Sequence, residues 1–120
     1  MPPEFALTED ALKGQRHVVA VRGEIDLFTA PELKQKLTDA IEGGKTHIVV
    51  DLSQATFIDS TTLGVLVGGV KRLRPKDGSL ALVCTDENIT KIFEITGLDR
   101  VFPIHSSRDD ALAAVAAAAD

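Results

Sequence analysis

Apolar and polar residues alternate along this chain in two periods, one suited to strands and one to helices. Residues 18–25 (VVAVRGEI) are rich in β-branched side chains and predict a strand. In the segment after it, Leu33, Leu37, Ala40 and Ile41 fall on one face at helical spacing. Thr29, Pro31 in the first turn and Glu32 predict a Thr-x-x-Glu capping box for that helix, and Gly43 and Gly44 end it. Residues 47–52 (HIVVDL) predict the next strand, with residues 55–58 leading out through its loop.

A second helix is predicted to follow. Leu63, Leu66, Val67, Val70 and Leu73 form one apolar stripe. Gly64 and Gly68 lie one turn apart inside it, where each glycine costs about 1 kcal/mol, so they predict a close approach to a neighbour, the sheet. Lys71, Arg72 and Arg74 suit the negative end of the helix dipole, and Pro75 with Asp77-Gly78 turns the chain. Residues 79–84 (SLALVC) read as a buried strand. Residues 88–96 read as a short helix, capped by Asp86 or Asn88 and stopped by Gly97. Residues 101–104 (VFPI) suit an edge strand, because Pro103 has no N–H for a ladder. Ser107 and Asp110 open an alanine-rich helix to the end of the chain. Strands alternating with helices define an α/β domain with a largely parallel sheet and right-handed crossovers. Residues 5–9 (FALTE) add a candidate antiparallel edge strand.

Composition narrows the function more than the fold. A chain of 120 residues suits one domain, and 44% apolar with 26% charged residues is ordinary for a soluble globule. The formal charge of −5 repels a nucleic-acid backbone, and the absence of Trp and Tyr removes the usual base-stacking platforms except the five Phe. No apolar stretch reaches the roughly 18 to 20 residues that cross a bilayer. The acidic, proline-bearing N-terminus is unlike a secretion signal, so a cytoplasmic location is expected. The single cysteine, Cys84, ends an apolar run and reads as a small core residue.

Several tempting motifs fail. GGKT at 43–46 lacks the glycine of a phosphate-binding loop, since Asp39 stands in its place, and it leaves a helix for a strand. His17, His47 and His105 have no second ligand at metal spacing and are expected at the surface or at strand edges. No dinucleotide glycine fingerprint or glycine-flanked nucleophile elbow is present, and no cofactor is expected.

The stretch FIDSTTLGVL (57–66) is the main candidate for chemistry. An acid and three hydroxyls, Asp59, Ser60, Thr61 and Thr62, stand where a strand region hands over to a helix. Two readings are open. In one, Asp59 or Ser60 caps the helix, worth roughly 0.5 to 2 kcal/mol. In the other, an exposed hydroxyl at the sheet's carboxyl edge accepts a phosphate, favoured there by the helix dipole and unpaired N–H groups.

Two stretches resemble the STAS-domain anti-sigma factor antagonists, the bacterial anti-anti-sigma family. GEIDLFTAPELKQKL (23–37) is similar to that family's Gly-Glu-hydrophobic-Asp segment and the helix after it. FIDSTTLGVLVG (57–68) is similar to its phosphorylation motif, Asp-Ser-[Ser/Thr]-Gly-Leu-Gly. The resemblance implies the STAS fold over the single domain 1–120: four to five strands, mostly parallel, with about four helices. It also implies partner switching without enzymatic activity. The unphosphorylated chain would bind an anti-sigma factor with a histidine-kinase-like ATPase fold and so release a sigma factor. That kinase would phosphorylate Ser60, and a metal-dependent serine phosphatase would reverse the reaction. Gly23, Glu24, Asp26, Asp59, Thr61, Thr62 and Gly64 match motif positions where partner contacts are expected.

Thr62 departs from the family pattern, which has glycine there. A β-branched residue at that place adds bulk beside the acceptor, alters kinase or partner fit, or offers a second acceptor. Two other functions compete. A STAS adaptor in a lipid-transport or signalling assembly would bind its partner constitutively. A small hydrolase using Ser60 as nucleophile would need a base beside it, and none is visible in the sequence.

Overall fold

The computed structural model describes residues 4–119. One five-stranded sheet runs in the order β1-β2-β3-β4-β5: β1 Ala6–Ala11, β2 Arg16–Ile25, β3 His47–Ile58, β4 Ser79–Val83 and β5 Ile104–His105. β1 pairs antiparallel with β2, and every other neighbour is parallel. The helices are α1 Ala30–Glu42, α2 Ser60–Leu73, α3 Glu87–Thr96 and α4 Arg108–Ala119. The expected continuation of the last helix to Asp120 lies outside the described residues.

The central strands are buried on both faces, which explains the near-continuous apolar runs of β2, the first half of β3 and β4. One face carries the larger core, in which Val19, Ile25, Ile48, Val50 and Leu82 meet Leu33 and Leu37 of α1, Leu66 of α2 and Phe93 of α3. The other face carries Val18, Val49, Ala81 and Val83 under Ala111 and Val115 of α4. Cys84 is buried, as expected.

Several expectations change. β3 does not end at Leu52; it runs on to Ile58. Between the pairs Ala20–Asp51 and Arg22–Gln54, and again between Gly23–Ala55 and Glu24–Phe57, β3 gains a residue on β2. These two bulges break the period-two alternation, which is why 53–58 read as loop. Gly23 lies between them at φ +90°, a backbone that favours glycine. The last strand comes later than predicted, at Ile104–His105, and Pro103 contributes only its carbonyl, accepting from the Leu82 N–H at 2.9 Å.

The capping box at Thr29 does not form. Its hydroxyl is turned back instead, accepting the Asp26 N–H at 2.8 Å. On α2 the buried positions are Thr62, Leu66, Gly69 and Leu73, with Leu63, Val67 and Val70 only partly covered. The close approach therefore falls on Gly69, where an added Cβ would lie 3.2 Å from a Leu80 methyl. At Gly64 and Gly68 it would meet nothing within 4 Å.

His17 and His47 are interior strand residues, not surface ones. Burial pushes the His17 imidazole below its ordinary pKa, opposed by Glu9 3.9 Å away.

Candidate functional site

The register of β3 sets the site's position. β4 pairs with β3 only as far as Asp51, whereas β2 pairs with it to Ile58. The β2–β3 pair therefore projects beyond β4 as a two-stranded ribbon. Two turns leave its tip. One runs from Ile25 into α1, and the other runs from Ile58 into α2.

In the second turn Asp59 is the residue that caps α2. Its backbone is extended, and its Oδ1 accepts the Thr62 N–H at 3.0 Å. This leaves Ser60 free of capping. It occupies the first turn of α2, is exposed, and its hydroxyl has no hydrogen-bond partner among the described residues. Thr61 beside it is also exposed. The capping and exposed-hydroxyl readings are thus divided between two neighbouring residues. Acid and hydroxyl face the positive end of a 14-residue helix, where anionic charge is stabilised.

Thr62 does not add bulk beside Ser60, as the sequence suggested. It is fully buried. Its hydroxyl lies 3.1 Å from the Ile25 carbonyl oxygen and 3.2 Å from Asp59 Oδ1. Its side chain is enclosed and presents no surface in this conformation. Gly23 is buried too. Gly64 is exposed and, with Thr61, Lys34, Gly68 and Arg72, lines a groove of about 480 Å³ between α1 and α2.

The first turn is built on Asp26. Its Oδ1 accepts the N–H groups of Phe28 at 2.9 Å and Thr29 at 3.1 Å, an Asx turn that starts α1. Asp26 is thus engaged within its own turn, while Glu24 is exposed on β2. The turn lifts Leu27 and Phe28 into solvent at 62% and 83% exposure, and Phe57 on the ribbon is 48% exposed. The sequence reading missed these three. For Leu27 and Phe28 the available signal was an apolar pair inside an Asp-to-Thr turn, where polar residues are the rule.

The register also places the histidines. His47 begins β3, His17 pairs beside Ile48, and His105 aligns through Val83 with Asp51. At about 3.3 Å per residue, counted along β2, each stands roughly 16 Å or more along the sheet from Ile58, beyond hydrogen-bond reach of Ser60. No group of three or more His, Cys, Asp or Glu side chains able to hold a metal occurs among the described residues. None of the described helices is long and apolar enough to cross a membrane.

A second polar cluster lies on the α4 side. Arg108, at the start of α4, gives Nε and Nη2 to Asp51 Oδ2 at 3.1 and 2.9 Å, and Nη1 to Asp10 Oδ2 at 3.0 Å. Burial alone would raise the Asp51 pKa. Hydrogen bonds from Ser53 and the Arg108 guanidinium outweigh it and hold the carboxyl below its ordinary value.

These features describe an α/β domain with a solvent-facing serine at the helix start beyond its projecting ribbon. The chain belongs to the STAS domain family, which matches residues 10–111. It is 34% identical over 101 residues to the anti-sigma-B factor antagonist of Staphylococcus aureus, spanning 84% of this chain and 94% of that protein. It is also 34% identical over 91 residues to the anti-sigma-B factor antagonist of Staphylococcus epidermidis, spanning 76% and 84%. The crystal structure of an anti-sigma factor antagonist from Mycobacterium paratuberculosis superposes with a TM-score of 0.86 at 32% identity. That match covers 93% of this chain and 94% of the other.

Proposed function

We propose that this chain is an anti-sigma factor antagonist switched by phosphate on Ser60. The observation that carries the reading is the division of labour at α2: Asp59 takes the cap, and Ser60 is left exposed and unpartnered. Relatives that bear the name of antagonist, matched over most of this chain, support the same role. Unphosphorylated, the chain binds an anti-sigma factor with a histidine-kinase-like ATPase fold and displaces its sigma factor. The kinase supplies ATP and Mg²⁺ and modifies Ser60, and a metal-dependent serine phosphatase restores it. This chain is the substrate, acts in the cytoplasm where transcription occurs, and needs no cofactor of its own.

The switch is electrostatic. A phosphate adds about −1.5 to −2 charges at the positive end of the α2 dipole, so the isolated domain tolerates it. A partner docked over the tip must bury that charge without a match. A cost of about 4 kcal/mol lowers affinity roughly a thousandfold. The enclosed Thr62 side chain leaves Ser60 open to a kinase, which supports this reading over a constitutive adaptor.

The test is peptide mapping by mass spectrometry of the protein taken from stressed and unstressed cells, with binding of Ser60→Asp, Ser60→Glu and Ser60→Ala to the anti-sigma kinase. Phosphate on Ser60 that varies with stress, loss of binding in the acidic variants and retention in Ser60→Ala are expected. A chain unmodified in every condition, with acidic variants that still bind, would establish constitutive adaptor behaviour.

A further inference from the structure

We propose that Thr62 is a positioning residue that joins the Ser60 helix start to the Leu27–Phe28 turn, so that charge on Ser60 is sensed at both. The inference rests on Ser60 being the modified residue. It adds a route by which that modification reaches a second part of the docking surface.

The route is a continuous set of hydrogen bonds centred on one peptide unit. Ser60 is covalently joined to Asp59. The Asp59 carboxylate accepts from Thr62 through Oδ1, taking the backbone N–H at 3.0 Å with the hydroxyl at 3.2 Å. The same hydroxyl reaches the Ile25 carbonyl oxygen at 3.1 Å, across 37 residues of sequence. That carbonyl belongs to the Ile25–Asp26 peptide, whose N–H donates to Thr29 Oγ1 at 2.8 Å. Thr29 is in turn tied to Asp26 Oδ1, which also holds the Phe28 N–H. One peptide plane is thus held from both sides, by Thr62 on its oxygen and by Thr29 on its N–H.

Burial makes the link effective. Thr62 is fully buried, so water does not compete for its hydroxyl. The hydroxyl has one proton and two acceptors at almost equal distance. A change in charge on the Asp59 side shifts the balance between them and therefore the bond to Ile25. Glycine, the residue of the resembled motif at this position, has no hydroxyl and cannot make the link. The Thr62 hydroxyl adds a side-chain tie between the two turns, beyond the strand pairing of Ile25 with Ile58.

The experiment uses the isolated chain and needs no kinase. Backbone amide chemical shifts and hydrogen exchange are recorded for wild type, Ser60→Asp, Thr62→Val, Thr62→Ser and the two double variants. In the wild-type background Ser60→Asp should shift the Asp26, Phe28 and Thr29 amides. Thr62→Val keeps the side-chain shape but removes the hydroxyl. It should speed exchange of these amides about tenfold and abolish their response to Ser60→Asp. Thr62→Ser should retain the response. A response of equal size in Thr62→Val would overturn the proposal. So would silence of the Asp26–Thr29 amides in the wild-type background, a result readable even if Thr62→Val does not fold. Failure of the phosphorylation reading is seen separately, as unmodified Ser60 in cells.

Discussion

Replacing Arg108 by methionine keeps an unbranched side-chain stem while removing the charge that faces Asp51. Two of the lost bonds, at 3.1 and 2.9 Å, go to a carboxylate only 9% exposed; the third goes to Asp10, whose side chain is 60% exposed. The Asp10 bond contributes little, because solvent screens it. A charge-assisted bond to a buried carboxylate is worth about 1.5 to 3 kcal/mol, and the partial exposure of Arg108 reduces this. The expected loss is about 2 kcal/mol at neutral pH, a fall in Tm of roughly 6 to 10 °C for a domain of this size.

The pH dependence gives the test its direction. Asp51 has a folded pKa below its unfolded value, so its contribution is present above about pH 3.9 and is lost as pH falls through the lower folded value. In Arg108→Met, burial is opposed only by Ser53, and the Asp51 pKa rises. The variant then relieves its penalty by taking up a proton as the solution is acidified. Urea unfolding at pH 7 and at roughly pH 3.5 should show the gap between wild type and variant closing at the lower pH. A gap that stays constant with pH, or a neutral-pH loss under about 0.5 kcal/mol, would refute the assignment of Arg108 as the group that makes a buried Asp51 tolerable.

The α2 glycines should respond in opposite directions. Gly68→Ala fills open space and should stabilise by about 0.5 to 1 kcal/mol, whereas Gly69→Val drives branches towards Leu80 and Leu37 and should cost about 1 to 3 kcal/mol. Urea midpoints that move the same way would contradict the orientation of α2. Phe28→Ser should leave stability within about 0.5 kcal/mol yet weaken binding of the anti-sigma kinase at least about tenfold by titration calorimetry, since exposed aromatics are common binding anchors. Unchanged affinity would remove Leu27–Phe28 from the docking surface.

By itself the sequence determined the order of elements, the parallel character of the sheet and the buried face of α1. Those follow from residue spacing and from local stops such as Gly97, and they need no knowledge of what lies opposite. It also set the hydroxyl cluster at the start of α2. The tertiary structure decided which residue did what there. Asp59 became the cap and Ser60 the free hydroxyl because α2 buries the face bearing Thr62, Leu66, Gly69 and Leu73. That orientation depends on the packing of α2 against α1 and the sheet, not on the helical period alone, which fitted Gly64 and Gly68 equally well. The ribbon at the tip was invisible for a related reason. Its two bulges exist only as a mismatch in count between β2 and β3, a property of two strands laid side by side. The bond from Thr62 to Ile25 spans 37 residues, and only the folded chain brings a hydroxyl and a carbonyl so far apart in sequence within reach of each other.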